Sequence, residues 1–153
     1  MRKVNFWLIS LLSVAATSCS LSNKAISSSE EISLRVRTSA CFGTCPVYEL
    51  KVENGLASYY GLKYPRTNDT LQVVISEIEL DSIVYIFDTH KFWELEAEYD
   101  NPQISDLPSV NIELSHGKQK NRVEARAQIP NNLRNILEYI ERMRLRTFAE
   151  LKS

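Results

Sequence analysis

In two segments, residues 32–37 and 46–53, apolar side chains recur at every second position, which is the spacing of β-strands with one buried face. In the first of these segments the apolar positions are Ile32, Leu34 and Val36, and two arginines, Arg35 and Arg37, alternate with them. This pattern predicts a strand that buries its apolar side and presents both arginines on its polar side.

Two further strands are predicted after a loop over residues 38–45. Residues 46–53 alternate in the same way. Asn54 and Gly55 then form the pair favoured in two-residue hairpins, because both turn positions require positive φ. The tyrosine-rich segment over residues 56–64 therefore returns as the third strand.

Two other segments have the spacing of amphipathic helices. The first follows a short fourth strand over residues 71–75 and opens with Ser76 and Glu79, whose types and spacing form a capping box. It predicts a helix over residues 77–90. The second helix begins near Pro130, because proline is well tolerated in the first turn of a helix.

The region between the two helices predicts a second hairpin. An acidic, proline-containing loop over residues 96–107 is followed by an alternating strand over residues 110–114, and residues 122–127 pair back on it. Local hairpins imply antiparallel pairing. We therefore predict an α+β fold with an antiparallel sheet of five to six strands and two helices packed on one face. It forms a single domain over residues 31–148.

The first nineteen residues have the features of an export signal. Two basic residues precede an apolar segment over residues 4–16, which is too short to span a bilayer as a permanent helix. Small residues at positions 16–18 then precede Cys19. We predict that residues 1–18 are a lipoprotein signal peptide and that residues 19–30 are the lipidated cysteine and a serine-rich tether.

This pattern predicts attachment to a lipid membrane through acylated Cys19, since several acyl chains anchor a protein stably. No acidic residue follows Cys19 directly, and we therefore expect an outer-membrane lipoprotein that faces the periplasm. The 18 basic and 19 acidic residues of the chain give a net charge of −1. This balance gives no general attraction to nucleic acid, so the expected partner is an unknown envelope protein or a small ligand.

Cys41 and Cys45 form the one motif that could carry chemistry. In an exported protein two cysteines four positions apart favour a disulfide, and Gly43 permits the tight reversal of the chain. A redox-active pair, a cysteine nucleophile and a zinc site completed by His90 and His116 are alternatives. Thioredoxin-type pairs have two intervening residues and open a helix, whereas the residues after Cys45 continue here as a strand.

The sequence Cys-Phe-Gly-Thr-Cys-Pro-Val-Tyr begins at Cys41 and follows the strand that carries Arg35 and Arg37. It resembles the uncharacterised bacterial lipoprotein family catalogued as domain of unknown function 6438. The chain is similar to that family also in its Asn-Gly hairpin before a tyrosine-containing strand and in an Asp-x-Pro segment at Asp106. The resemblance implies a coherent fold and a lipoprotein signal. It implies no mechanism, because the family has no assigned activity.

Four residues are our candidates for a ligand or partner surface: Arg35, Arg37, Tyr59 and Asp106. We find no phosphate loop, nucleophile elbow or dinucleotide fingerprint in the sequence, and we predict no catalytic residue, metal or cofactor. We therefore favour a non-enzymatic binding or structural domain that uses the exposed face of its sheet. The alternative is a thiol-dependent redox protein or metal-binding module that uses Cys41 and Cys45.

Overall fold

A computed structural model of the chain describes residues 31–64, 70–104 and 106–149. Within these residues one sheet and two helices form a single domain. The strands are β1 (Ile32–Thr38), β2 (Val47–Glu53), β3 (Leu56–Lys63), β4 (Thr70–Val74), β5 (Glu98–Tyr99), β6 (Val110–His116) and β7 (Gln119–Ala125). The helices are α1 (Glu77–Thr89) and α2 (Asn131–Ala149), and a short 3₁₀ helix, Phe92–Glu94, follows α1. The predicted signal peptide and the whole predicted tether, residues 19–30 with Cys19, lie outside the described residues.

The predicted α+β class is confirmed, and the described sheet has seven strands in the order β4-β3-β2-β1-β6-β7-β5, rather than five or six. All neighbours are antiparallel except β5 and β7. The additional strand β5 lies where a loop was predicted, because two residues are too short to show alternation. The backbone N–H groups of Glu124 and Arg126 hold it by donating to the carbonyls of Ala97 and Tyr99, both at 2.9 Å.

The local signals at the turn and the helix start are confirmed. Asn54 and Gly55 have φ angles of 51° and 75°, the positive values that their hairpin requires. At the start of α1 the Ser76 hydroxyl accepts from the Glu79 N–H at 3.3 Å, and the Glu79 carboxylate accepts from the Ser76 N–H at 3.1 Å. The capping box therefore sets where this helix begins.

The core lies between the helices and one face of the sheet. Leu34 and Val36 of β1 are fully buried and belong to one cluster with Phe87 of α1 and Ile136 of α2. The side chains that alternate with them, including Arg35 and Arg37, point to the opposite side. We call this second side the open face, since neither of the two helices covers it.

Helix α2 shows how the sheet is covered. Its inward residues recur at helical spacing and are buried, namely Leu133, Ile136, Ile140, Met143 and Phe148. Its outer side carries charged residues such as Arg142, whose side chain is 70% exposed. No helix in the part of the chain that the structure describes is long and apolar enough to cross a membrane.

Candidate functional site

The open face carries a charged cluster centred on Glu49. The register of β1 and β2 places Arg37 directly opposite Glu49 and Arg35 directly opposite Lys51, so the four side chains are neighbours on one face. The Glu49 side chain is only 10% exposed, whereas those of Arg35 and Arg37 are 40% and 56% exposed. The carboxylate therefore lies beneath the guanidinium groups. We call these four residues the Glu49 cluster.

Each carboxylate oxygen of Glu49 serves a different arginine. Arg35 donates through Nε to Oε1 at 3.0 Å, and Arg37 donates through Nε and Nη2 to Oε2 at 2.8 and 2.6 Å. Lys51 Nζ lies 3.2 Å from Oε1. Burial by itself raises the pKa of Glu49, but the hydrogen bonds from Arg37, Arg35 and Lys51, with the charge of Arg35, lower this pKa to about 2. Glu49 is thus ionised at neutral pH, and the cluster has three cations for one anion.

Beside the cluster, the open face forms a shallow groove of about 430 Å³ over β1, β6 and β7. The strand register orders its floor in two rows. One row runs from Arg37 through Asn111 to Glu124, and the other runs from Arg35 through Glu113 to Arg122. Arg122 Nε lies 3.7 Å from Glu113 Oε1. Basic and acidic side chains therefore face each other across the groove.

Hydroxyl groups form one end of this groove. The Ser39 N–H donates to the Ser109 carbonyl at 2.8 Å, and the Ser109 N–H donates to Ser39 Oγ at 2.8 Å. The two side-chain oxygens are 3.0 Å apart. These bonds join the end of β1 to the segment before β6, so this end of the groove is held by the backbone of both.

The loop between β1 and β2 is closed by a disulfide. The predicted Cys41–Cys45 disulfide is confirmed, with 5.6 Å between the Cα atoms. Thr38 Oγ1 donates to the carbonyl of Pro46 at 3.0 Å and so joins the two strands at the base of the loop. Between the cysteines the Phe42 side chain is 94% exposed. The loop therefore holds an aromatic side chain in solvent, a few residues from the groove.

The disulfide closes a small loop, and the size of this loop determines how much the disulfide is expected to stabilise the fold. We expect the double variant Cys41→Ser, Cys45→Ser to lower the free energy of unfolding of the full chain by at most about 2 kcal/mol, because bridging a sequence separation of 4 removes little entropy from the unfolded chain. Urea unfolding in non-ionic detergent measures this. A reductant should lower the stability of the wild-type chain by the same amount and leave the variant unchanged. A loss twice as large would contradict this account.

The structure brings together two of the four candidate surface residues. Arg35 and Arg37 share the open face, but Tyr59 is 1% exposed and lies in the core. The physical reason is the hairpin register, which pairs Tyr59 with the buried Leu50 and so directs it toward the helices. Tyr59 therefore cannot form one surface with the arginines. Asp106 is exposed in the segment before β6.

The sequence-based reasoning did not select Glu49 and Lys51. Both were available from the alternation of β2, since they are polar residues on the side opposite its apolar positions. The place of the β6 and β7 residues in the groove could not be predicted from nearby sequence. It depends on the pairing of β6 with β1, which lies far away along the chain.

The structure does not bring together the four residues of the alternative zinc site, Cys41, Cys45, His90 and His116. His116 ends β6 and pairs with Ile32 at the start of β1, whereas the disulfide loop follows the other end of β1. Among the described residues no group of three or more histidine, cysteine, aspartate or glutamate side chains could hold a metal ion.

A second charged group lies on the helix side of the sheet. Arg144 of α2 is 8% exposed, and its Cζ atom lies 5.2 Å from the Tyr48 ring centre and 5.6 Å from that of Tyr59. Its Nε and Nη2 donate to Glu141 at 2.9 and 2.6 Å, which raises the pKa of Arg144. Burial, with the charge of Glu141, raises the pKa of Tyr48 to about 12, so this phenol is neutral at physiological pH. The group joins α2 to β2 and β3.

Comparison with known proteins gives one result of use. No curated protein is found to match this chain. The family model described as Domain of unknown function (DUF6438) matches residues 32–144. This range contains all seven described strands, the disulfide loop, the Glu49 cluster and the groove. The chain therefore belongs to the DUF6438 family.

Proposed function

We propose that this chain is a cell-envelope lipoprotein whose domain binds a partner, an envelope protein or a small ligand, through the open face of its sheet, without catalysis. The observation that carries this proposal is the groove beside the Glu49 cluster. It combines exposed guanidinium groups with a fixed strand framework, and recognition sites are commonly built from such rigidly held polar groups.

The anchoring part of the proposal rests on the amino-acid sequence. A basic start, a short apolar segment and small residues before Cys19 are the features of a signal peptide that is removed at a lipidated cysteine. Palmitate and other acyl chains on Cys19 would hold the protein on a membrane. We assign it to the outer membrane, facing the periplasm, because no acidic residue follows Cys19 directly.

Replacing Cys19 with alanine is expected to abolish the incorporation of alkyne-tagged palmitate and to leave the protein at precursor mass, because the acylated sulfur is gone. The label is read on a gel after coupling to a fluorophore. The variant Cys41→Ser, Cys45→Ser serves as the matched control and should keep the label. Labelling that survives in Cys19→Ala would overturn the anchoring proposal.

Three further features support the open face as the contact surface. The groove is lined by the exposed arginines Arg35 and Arg37, whose guanidinium groups can donate further hydrogen bonds. Phe42 stands beside it on a covalently closed loop, and aromatic side chains are enriched where proteins meet. The disulfide joins both ends of the loop that carries Phe42 and so limits the positions that this side chain can take beside the groove.

Site-specific photocrosslinking in cells that produce the full chain tests the contact surface. A photoreactive phenylalanine analogue replaces Arg122 on the groove floor or Phe42 on the disulfide loop, and Tyr85 or Arg142 on the helix side serves as control. All four native side chains are at least 62% exposed. We expect the same adduct mass from both open-face positions, no such adduct from the helix side, and loss of the adduct when Arg37→Ala is added. Equal adducts from both sides would overturn the proposal.

A further inference from the structure

The Glu49 cluster holds two like charges side by side. Arg35 and Arg37 are separated by one residue on β1, so their Cα atoms are about 7 Å apart on the same face. Two guanidinium groups in such positions repel each other unless an anion lies between them. Glu49 provides that anion, with one oxygen for each arginine at 2.8 to 3.0 Å from Nε. Both arginines are therefore held in position before any ligand arrives.

These bonds leave most of the guanidinium donors unused. A guanidinium group has five N–H donors. Among the described residues, Arg35 donates only through Nε and Arg37 only through Nε and Nη2. Both arginines also line the groove. Planar N–H pairs of this kind match the two oxygens of a carboxylate, which they bind in a bidentate manner.

The charges that line the groove restrict the ligand. With the Glu49 cluster included, Arg35, Arg37, Lys51 and Arg122 contribute four positive charges, and Glu49, Glu113 and Glu124 contribute three negative charges, which leaves a net charge of +1. A doubly charged phosphate would exceed this surplus and meet repulsion from both glutamates. A single carboxylate does not exceed it.

The acidic side chains also provide a place for a positive group. Glu124 lies on β7, two strands from Arg37 on β1, which corresponds to a backbone separation of about 10 Å. An extended peptide spans at most about 3.5 Å per residue, so three residues reach about 10 Å and two reach about 7 Å, and the long Arg37 side chain can shorten the distance that the peptide must cover. The volume of about 430 Å³ lies within the range of small-ligand sites.

We propose that this groove binds a short zwitterionic peptide, with the peptide carboxylate on Arg35 and Arg37 and its ammonium group toward Glu124. This inference rests on the proposed function and names the class of ligand for the same surface. Glu49 acts as a positioning residue, because it touches the arginines rather than the peptide.

Saturation-transfer NMR on the full chain in non-ionic detergent tests this with four probes: dialanine, its C-terminal amide, its N-acetyl form and inorganic phosphate. We expect dialanine to bind with a Kd of about 1 mM, as its few atoms allow in an open groove. The amide should bind at least tenfold more weakly, because it lacks the carboxylate, and the N-acetyl form several-fold more weakly. Phosphate should not compete. No dialanine signal at millimolar concentration, equal binding of the amide, or stronger binding of phosphate would each overturn the proposal.

Substitutions distinguish binding at this site from a general effect of positive charge on the protein. Arg37→Ala should weaken dialanine binding at least tenfold, and Arg37→Lys should recover only part of it, because lysine restores the charge without the planar pair of donors. Arg142→Ala removes the same charge on the outer side of α2 and should leave binding unchanged. Unaltered binding in Arg37→Ala would overturn the inference. If dialanine fails while the open-face crosslinks persist, the peptide inference falls and the proposed function stands.

Discussion

Replacing Arg144 with alanine is expected to lower the free energy of unfolding by about 3 kcal/mol. The side chain is 9% exposed and covers the rings of Tyr48 and Tyr59. A desolvated cation over aromatic rings contributes about 2 kcal/mol, and the lost packing of a long side chain adds to this. Glu141 is 44% exposed, so water can solvate it once its partner is gone. The expected loss therefore comes mainly from the contact with the two rings.

Urea unfolding of the full chain, followed by tyrosine fluorescence and circular dichroism, measures the effect. Arg142→Ala is the matched control, since Arg142 lies on the same helix with its side chain 70% exposed, and we expect it to change stability by less than about 0.5 kcal/mol. Arg144→Met keeps much of the packing without the charge and should recover part of the loss. A loss below about 1 kcal/mol for Arg144→Ala would contradict this role.

Replacing Glu49 with glutamine is expected to cost between about 2 and 3 kcal/mol at neutral pH. The pKa of Glu49 is about 2 in the folded chain against an ordinary value of 4.5, which sets an upper limit of about 3 kcal/mol on the contribution of its charge. The side chains of Arg35 and Arg37 beside this carboxylate are 40% and 56% exposed, so water reduces the repulsion left between them. The expected cost thus lies somewhat below the limit.

The same contribution should depend on pH in a defined direction. Because folding lowers the pKa of Glu49, its charge stabilises the fold fully above pH 4.5, and this stability is lost as the pH falls through about 2. The difference between the wild-type chain and Glu49→Gln should therefore shrink as the pH falls from 4.5 and become small below about 2.

Thermal and urea unfolding at neutral pH and again near pH 2 provide the measurement. Glu53→Gln is the matched control, because Glu53 lies on the same strand and is exposed, and we expect its effect to stay below about 0.5 kcal/mol. A cost for Glu49→Gln that is as large near pH 2 as at neutral pH would show that the carboxylate charge is not its cause.

Much of the fold could be predicted from short segments. The Asn54–Gly55 turn, the capping box at Ser76 and the alternation of β1 each depend on residues within a few positions of one another. The short strand β5 could not be predicted in this way, because it exists only where β7 provides partners for its backbone. The same holds for its parallel pairing.

Part of the candidate site could be predicted from the sequence. Alternation places Arg35 and Arg37 on the polar side of β1 and Glu49 on the polar side of β2. Their contact depends on the pairing of the two strands, which are joined by the loop that contains the disulfide. The location of Tyr59 could not be predicted in this way, since a tyrosine on a strand can lie on the surface or in the core. The pairing with Leu50 decided that it packs against Phe148 in the core.

The sequence by itself determined the strands of both hairpins, the start of α1, the disulfide and the α+β class, because these features arise from backbone preferences and side-chain spacing over short distances. Only the tertiary structure decided that β6 lies beside β1, which places Asn111 and Glu113 next to Arg37 and Arg35. The groove arises from this pairing. Its strands are far apart along the chain, and their contact depends on how the whole sheet packs against its helices rather than on any local pattern.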